Sequence, residues 1–327
     1  MAERIEIDVQ RLYEDLMELC KTPGPTQACV RVSENDPRID GEFPMERTVK
    51  KIVQRINYEE GTDLHVIPHM GNLIVVGGLG EIRVPPGQEE IEKIKKIPVV
   101  FGAHLDEITY FVAKEKNDPT TKEIFNLLKK EFDGEIYRVI PICNPPKIVN
   151  LEERRVRKGK IEIETKSGEK KKFKVSFIID RVLNSECKVV GFRSRKFNED
   201  LASGHLFIAN MEVSPIEDEN KVEKYRYFLI NIIRKNEELL EGDMVIQDYG
   251  NWKNKEKKGD KISSNVDVWS KALDDRVGCI ACIYAVKELA KKGIPAKAIL
   301  TSSEEGVPED LSWGRFVRST YKECGTD

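Results

Sequence analysis

Three short clusters of polar side chains in this sequence have the chemistry of a divalent-metal site. They are the run HLDE at 104–107, the pair Asp274-Asp275 and the pair Glu304-Glu305. Imidazole nitrogens and carboxylate oxygens are the ligands that hard or borderline divalent cations prefer. Paired acids also allow one carboxylate to bind metal while the other transfers protons. Each cluster alone has an ordinary explanation, such as a helix N-cap for Asp274-Asp275, but together they predict a hydrolytic metal site.

Each cluster lies at the end of a predicted secondary-structure element. The run IPVVFGAHLDE predicts a buried strand with polar residues at its C-terminal end, and KAILTSSEEG predicts a strand that ends in two carboxylates. KALDDRVGCIACIYAVKELAKKG predicts a helix, because acidic residues at its start and Lys-Lys-Gly at its end suit helix electrostatics and C-capping. Open α/β sheets bind ligands at the carboxyl ends of their strands. We therefore expect the clusters to meet at one edge of a sheet.

The remaining pattern predicts an α/β domain interrupted by an all-β insertion. Helices are predicted in IDVQRLYEDLMELC and from Pro44 to about Tyr58, and strands in LHVIP and GNLIVVGG. Between 117 and 260, short alternating runs such as KIEIETKSGEKKKFKVSFIIDRV predict strands. The fold class is therefore α/β, with an open mixed sheet in a catalytic domain at 1–116 and 261–327 and an all-β insertion at 117–260.

The composition argues against several classes of protein. The net charge of −3 provides no global field that would attract nucleic acid or an anionic membrane. The basic runs ERRVRKGK and GEKKKFK are interleaved with acidic residues, which favours solvated strand faces. No apolar run approaches the ~18 residues of a membrane span, and the first ten residues lack the apolar core of a secretory signal. Seven scattered cysteines favour reduced thiols, so we expect a cytoplasmic protein.

The three clusters resemble the motifs of the M42 family of metallo-aminopeptidases. FGAHLDEITYFV resembles the family's AHxDE motif and the apolar strand after it, KALDDRVG is similar to KALDDRxG, and TSSEEG resembles the strand that ends in Glu-Glu. The resemblance follows the chain in order and includes a β insertion between the first two motifs. It implies a homo-oligomeric aminopeptidase that uses two divalent metal ions, zinc or cobalt, and acts on short peptides with a free N-terminus. The insertion would make the oligomer contacts.

The resemblance also implies a role for each motif residue. His104 would be a terminal ligand of one metal, and Asp106 would fix the orientation of its imidazole ring. Asp274 would bridge both metals, and the peptide bond that follows it would be cis. Glu305 would bind one metal. Glu304 would be the general base that takes a proton from water and passes it to the leaving amine.

The sequence departs from the M42 pattern in two places. The family has a further acidic ligand and a histidine beyond the Glu-Glu strand. Asp327 has the position expected of that acid, but none of the four histidines follows Glu305. From this we expect that the C-terminal part of the catalytic domain is missing and that the chain is weakly active or inactive. Thr109 stands where the family tends to have glycine, which leaves the preferred substrate side chain open.

Two other functions remain open at this point. A carboxypeptidase or deacylase of the M20 or M28 type shares the HxD and Glu-Glu logic, although KALDDR and the β insertion favour M42. A non-catalytic metal-binding or scaffold protein would use the insertion for assembly alone. Hydrolysis of aminoacyl anilides rather than N-acylated amino acids would separate the first from an aminopeptidase, and bound metal without turnover would indicate the second.

Overall fold

The chain divides into two compact units in a computed structural model. Unit 1 comprises residues 1–109, 192–197 and 252–327, and unit 2 comprises residues 110–191 and 198–251. The structure describes residues 8–26, 30, 37–69, 71–113, 119–141, 151–164, 170–218, 220–248 and 270–302. Unit 2 is thus inserted in the sequence of unit 1. The catalytic and oligomerisation roles predicted for the two parts of the chain stay predictions.

The described residues form helices and strands in both units. The helices are α1 (Val9–Lys21), α2 (Pro44–Glu60), α3 (Gln88–Lys95), α4 (Pro119–Lys129) and α5 (Leu273–Lys291). The strands are β1 (His65–His69), β2 (Asn72–Gly77), β3 (Val99–His104), β4 (Tyr110–Val112), β5 (Ile136–Pro141), β6 (Leu151–Glu164), β7 (Lys170–Arg193), β8 (Lys196–Pro215), β9 (Glu223–Lys235), β10 (Met244–Gln247) and β11 (Ala296–Thr301). The mixed α/β class predicted from the sequence is confirmed.

A mixed four-stranded sheet forms the centre of unit 1. Its strand order is β1-β2-β11-β3, in which β11 runs antiparallel to β2 and parallel to β3. The parallel pair keeps one register from Ala296 opposite Val99 to Thr301 opposite His104. The predicted strands that carry HLDE and TSSEEG are therefore neighbours whose carboxyl ends meet at the same edge. Helix α5 packs against β2, β3 and β11.

The first two helices of unit 1 form where their apolar periodicity predicts them. Asp8 caps α1, because its side chain accepts a hydrogen bond from the Arg11 amide at 3.1 Å. Pro44 opens α2, and Gly61 ends it in the left-handed region at φ 63°, which glycine adopts without steric cost. The predicted apolar face of α2 is buried, namely Val49, Ile52, Val53 and Ile56.

The described residues of unit 2 form a closed sheet with one helix packed on it. The strand order is β10-β4-β5-β9-β8-β7-β6, and β10 also pairs with β7, so these strands close into a ring that leaves β6 at the edge beside β7. The expectation of an all-β insertion is wrong, because α4 lies within it and packs against β6. The segment TKEIFNLLKK places Ile124, Phe125 and Leu128 on one helical face, and all three enter the apolar core of the unit. The alternating runs that follow this short helix predict strands, and they conceal its helical pattern in the sequence.

No helix in the described part of the chain is long and apolar enough to cross a membrane.

Candidate metal centre

His104 is held at the carboxyl end of β3. The strand pairing continues one residue beyond it, since the Leu105 amide donates to the Thr301 carbonyl at 2.7 Å. The His104 carbonyl accepts a hydrogen bond from Cys279 Sγ of α5 at 3.0 Å. The backbone of His104 is therefore fixed by β11 on one side and by α5 on the other. Its imidazole ring is buried.

Asp274 reaches this ring from the start of α5. Ala272 has φ 52° and ψ 30°, and both Asp274 and Asp275 depart from helical geometry. The Asp274–Asp275 peptide bond is cis, which confirms what the M42 resemblance implies. Asp275 Oδ1 accepts from the Gly278 amide at 3.0 Å and so caps the helix proper. Asp274 Oδ1 lies 3.5 Å from His104 Nε2, while the Asp274 side chain is 94% exposed.

Asp106 lies on the opposite side of the imidazole ring. Its Oδ1 is 3.4 Å from His104 Nδ1, and its side chain is completely buried. The Thr26 hydroxyl lies 3.0 Å from Asp106 Oδ2 and from the Glu107 carbonyl oxygen. That carbonyl also accepts a hydrogen bond from Thr109 Oγ1 at 2.8 Å, and the single proton of Thr26 can serve either Asp106 or this carbonyl. The arrangement turns His104 Nε2 towards Asp274.

The comparison with protein families agrees with this geometry. The family model described as M42 glutamyl aminopeptidase matches residues 196–307, a segment that includes KALDDRVG and TSSEEG. Over residues 196–307, this chain is similar to M42 peptidases. A search of curated proteins found no significant match. The HLDE cluster lies outside the matched segment, and the pairing of β3 with β11 connects the two.

A buried ion-pair cluster lies behind the candidate ligands. Glu107 Oε2 is 2.9 Å from Lys271 Nζ, and Glu107 Oε1 is 3.3 Å from Arg276 Nη2. Oε1 also accepts from the Gly24 amide at 2.8 Å. Burial by itself raises the pKa of Glu107, but the positive charges of Lys271 and Arg276 and these hydrogen bonds hold that pKa below its ordinary value. Glu107 therefore stays ionised inside the protein.

Arg276 ties the cluster to the end of α1. Its fully buried guanidinium donates to the Leu19 carbonyl at 2.6 Å and to the Thr22 carbonyl at 2.9 Å. It also donates to the Leu105 carbonyl at 3.1 Å, next to His104. Carbonyls at a helix C-terminus have no partner within the helix, so a planar cation with several donors suits them. The arginine of KALDDRVG thus joins α1, the HLDE segment and α5.

Sequence reasoning did not find the roles of Glu107, Lys271 and Thr109. Thr109 is completely buried, and its hydroxyl accepts from the Thr26 amide at 3.0 Å, so it supports the HLDE segment rather than contacting substrate. The sequence does place Glu107 and Lys271 close to proposed metal ligands, since each stands three residues from one. Only their proximity in space assigns them a shared role.

The donors described at this edge of the sheet suit part of a divalent-metal site. His104 supplies a nitrogen and Asp274 a carboxylate oxygen, a mixed set that zinc and similar cations accept. Across the described residues, no group of three or more His, Cys, Asp or Glu side chains is arranged to hold a metal ion. The predicted residues Glu304, Glu305 and Asp327 lie outside the described residues.

Proposed function

We propose that this chain is a two-metal aminopeptidase of the M42 type that removes N-terminal residues from short peptides. The observation that carries the proposal is the convergence of His104 and Asp274 at 3.5 Å, with Asp106 behind the ring. The three residues come from two segments far apart in sequence. This proximity supports the roles proposed for them from the M42 resemblance.

Four side chains would hold two divalent metal ions, zinc or cobalt. His104 and Glu305 are proposed as terminal ligands, Asp274 as the bridge, and Asp327 as a further acidic ligand. Bound metal ions would lower the pKa of a water molecule and polarise the scissile carbonyl. The nitrogen and oxygen donors described at the sheet edge fit such ions.

The remaining chemistry belongs to the protein's own side chains. Asp106, held by Thr26, would keep the His104 ring oriented so that Nε2 faces the ligand position. Glu304 is proposed as the general base that removes a proton from water and delivers it to the leaving amine. The free amine of a peptide is proposed to dock near the metals and the acidic groups around them, among which the Asp274 carboxylate is exposed.

The proposal extends to assembly and location. Unit 2 is proposed to make contacts in a homo-oligomer, because it is a separate compact unit. A cytoplasmic location is also proposed, consistent with the free, buried cysteines Cys20, Cys187, Cys279 and Cys282.

A substrate panel tests the activity. The chain is incubated with zinc, cobalt or manganese and then with leucyl anilide and with N-acetyl-leucyl anilide. We expect slow hydrolysis of the free-amine substrate, in keeping with the weak activity expected from the sequence, and less of the acetylated one. Hydrolysis of N-acylated amino acids alone would favour a deacylase of the M20 or M28 type. Bound metal with no turnover of any substrate would favour a non-catalytic homologue.

A pair of neighbouring variants separates the bridging ligand from a structural acid. Asp274→Asn should weaken metal binding and abolish turnover, because it removes the exposed carboxylate beside His104. Asp275→Asn should keep metal and most activity, since asparagine can still cap the helix at the Gly278 amide. Equal effects of both substitutions on bound metal would contradict the assignment of Asp274.

A further inference from the structure

The ion pair between Glu107 and Lys271 connects the two segments that carry His104 and Asp274. Glu107 stands three residues after His104, and Lys271 stands three residues before Asp274. Lys271 Nζ lies 3.0 Å from Glu107 Oε1 and 2.9 Å from Oε2, so the ammonium contacts both oxygens. The two side chains are 5% and 2% exposed, and the partners are 164 residues apart in sequence.

We propose that this buried ion pair is a positioning element that sets the separation of His104 and Asp274 and thereby the affinity of the site for metal. The inference rests on the proposed metal-dependent function. Neither residue contacts the metal. Glu107 and Lys271 act through the backbone segments that present the ligands, and so they are positioning residues.

The start of α5 needs contacts from other parts of the chain to fix its position. Ala272 is in the left-handed region, and Asp274 and Asp275 depart from helical φ and ψ. The Asp274 side chain is almost fully exposed, so packing does not restrain it. Lys271 lies directly before this irregular segment and is itself buried. An anchor at Lys271 therefore restricts where Asp274 can be.

Glu107 is a rigid anchor because it is restrained by other groups. The Gly24 amide donates to its Oε1 at 2.8 Å, and Arg276 lies 3.3 Å from the same atom. Its own amide donates to the Gly24 carbonyl at 2.9 Å. A carboxylate held in this way can fix the position of Lys271 rather than follow it.

Stability alone is a weak explanation for the pair. Removing two charges from water is unfavourable, and buried ion pairs are often no more stabilising than apolar residues of similar volume. What the pair supplies is a directional link of defined length between two loops. Partners outside the metal's own ligands typically change metal affinity by about 10–100-fold when they are mutated.

The test measures cobalt binding to the wild type, Glu107→Gln, Lys271→Met and the double variant, by competition with a chromophoric chelator. Glutamine retains an acceptor for the Gly24 amide, and the double variant removes both charges, so that neither partner is left as an unpaired buried ion. We expect each single variant to bind cobalt about 10–100-fold more weakly. The double variant should be no weaker than the worse single variant, because both changes break one link. The visible spectrum of bound cobalt should also change, which a loss of stability alone would not cause.

A matched control is available on the same helix. Lys287 is a buried lysine of α5 whose Nζ lies 3.0 Å from Glu60 Oε1, away from the HLDE segment. Lys287→Met should lower stability and leave both cobalt affinity and the cobalt spectrum unchanged. Folding of each variant is checked by circular dichroism, and a variant that does not fold is replaced in the comparison by the double variant.

The outcomes separate this inference from the proposed function. If the wild type binds cobalt and the folded variants bind it equally well with the same spectrum, the positioning role is wrong and the metal site stands. Additive losses in the double variant would also overturn the link between the two residues. If the wild type binds no divalent metal, the proposed function and this inference are overturned together.

Discussion

Replacing Arg276 with methionine should destabilise unit 1 severely. The guanidinium is fully buried and donates to four backbone carbonyls, those of Leu19, Cys20, Thr22 and Leu105, at 2.6 to 3.3 Å. It is also 3.3 Å from Glu107 Oε1. Methionine has a similar length and fills part of the space, but it offers no donor to these acceptors.

The magnitude follows from the groups that lose their partner. A buried polar group left without a hydrogen bond costs about 1–3 kcal/mol, and breaking a buried ion pair costs about 3–5 kcal/mol. Glu107 keeps Lys271 and the Gly24 amide, so its share of the penalty is reduced. We expect a loss of about 3–5 kcal/mol for Arg276→Met, which is a large fraction of the stability of an ordinary domain. Arg276→Lys should lose about half as much, because it keeps the charge but not the planar set of donors.

The assay is hydrogen exchange in a series of urea concentrations, followed by mass spectrometry of peptides from each unit. Peptides from α1 and α5 should lose protection at lower urea in Arg276→Met, whereas peptides from β8 and β9 of unit 2 serve as an internal control. A decrease of less than about 1 kcal/mol in the unfolding free energy of α1 and α5 would refute the reasoning, because it would mean that these acceptors find other partners.

Three further outcomes are expected. The pKa of Glu107 is lowered in the folded state, so its ionisation contributes stability that is fully present above about pH 4.3 and is lost as the pH falls through the folded pKa. The Glu107→Gln variant should lack this component of acid unfolding. An acid-unfolding profile identical to that of the wild type would contradict the prediction. In an active form, Glu304→Gln should keep its metal and lower kcat by about 10²–10⁴, whereas Glu305→Gln should lose metal; metal loss in both would refute this division. Removal of residues 117–260 should give a smaller species by light scattering, and an unchanged oligomer would exclude unit 2 from assembly.

The elements of unit 1 can be predicted largely from local pattern. The apolar spacing in α1 and α2, the buried strands β3 and β11 and the capped helix α5 each follow from side chains close in sequence. Helix α3 has a weak signal, because its sequence QEEIEKIK has only two apolar positions and is typical of a charged spacer. Its C-terminal carbonyl at Ile94 accepts from the fully buried Lys297 at 3.0 Å, a contact with a strand residue 203 positions later. Such a tertiary contact leaves no local signal.

Unit 2 shows the same limit for strand pairing. Alternating residues predict strands, but the alternation does not specify which strands pair. The closure of the sheet depends on the four-residue strand β10, which pairs with both β4 and β7. Helix α4 is hard to predict for a related reason, since its apolar face becomes evident only against the core it covers.

The sequence by itself determined the chemistry of the candidate site, because side-chain type decides which atoms can bind metal or move a proton. The residue types around His104, Asp274 and Glu304-Glu305 therefore point to a divalent-metal site, and the resemblance of these motifs to those of the M42 family implies a metallopeptidase. Only the tertiary structure decided which of these groups meet. The parallel pairing of β3 with β11 and the packing of α5 bring His104 within 3.5 Å of Asp274. The same packing buries Glu107 against Lys271, since a contact between residues 164 apart depends on the whole fold.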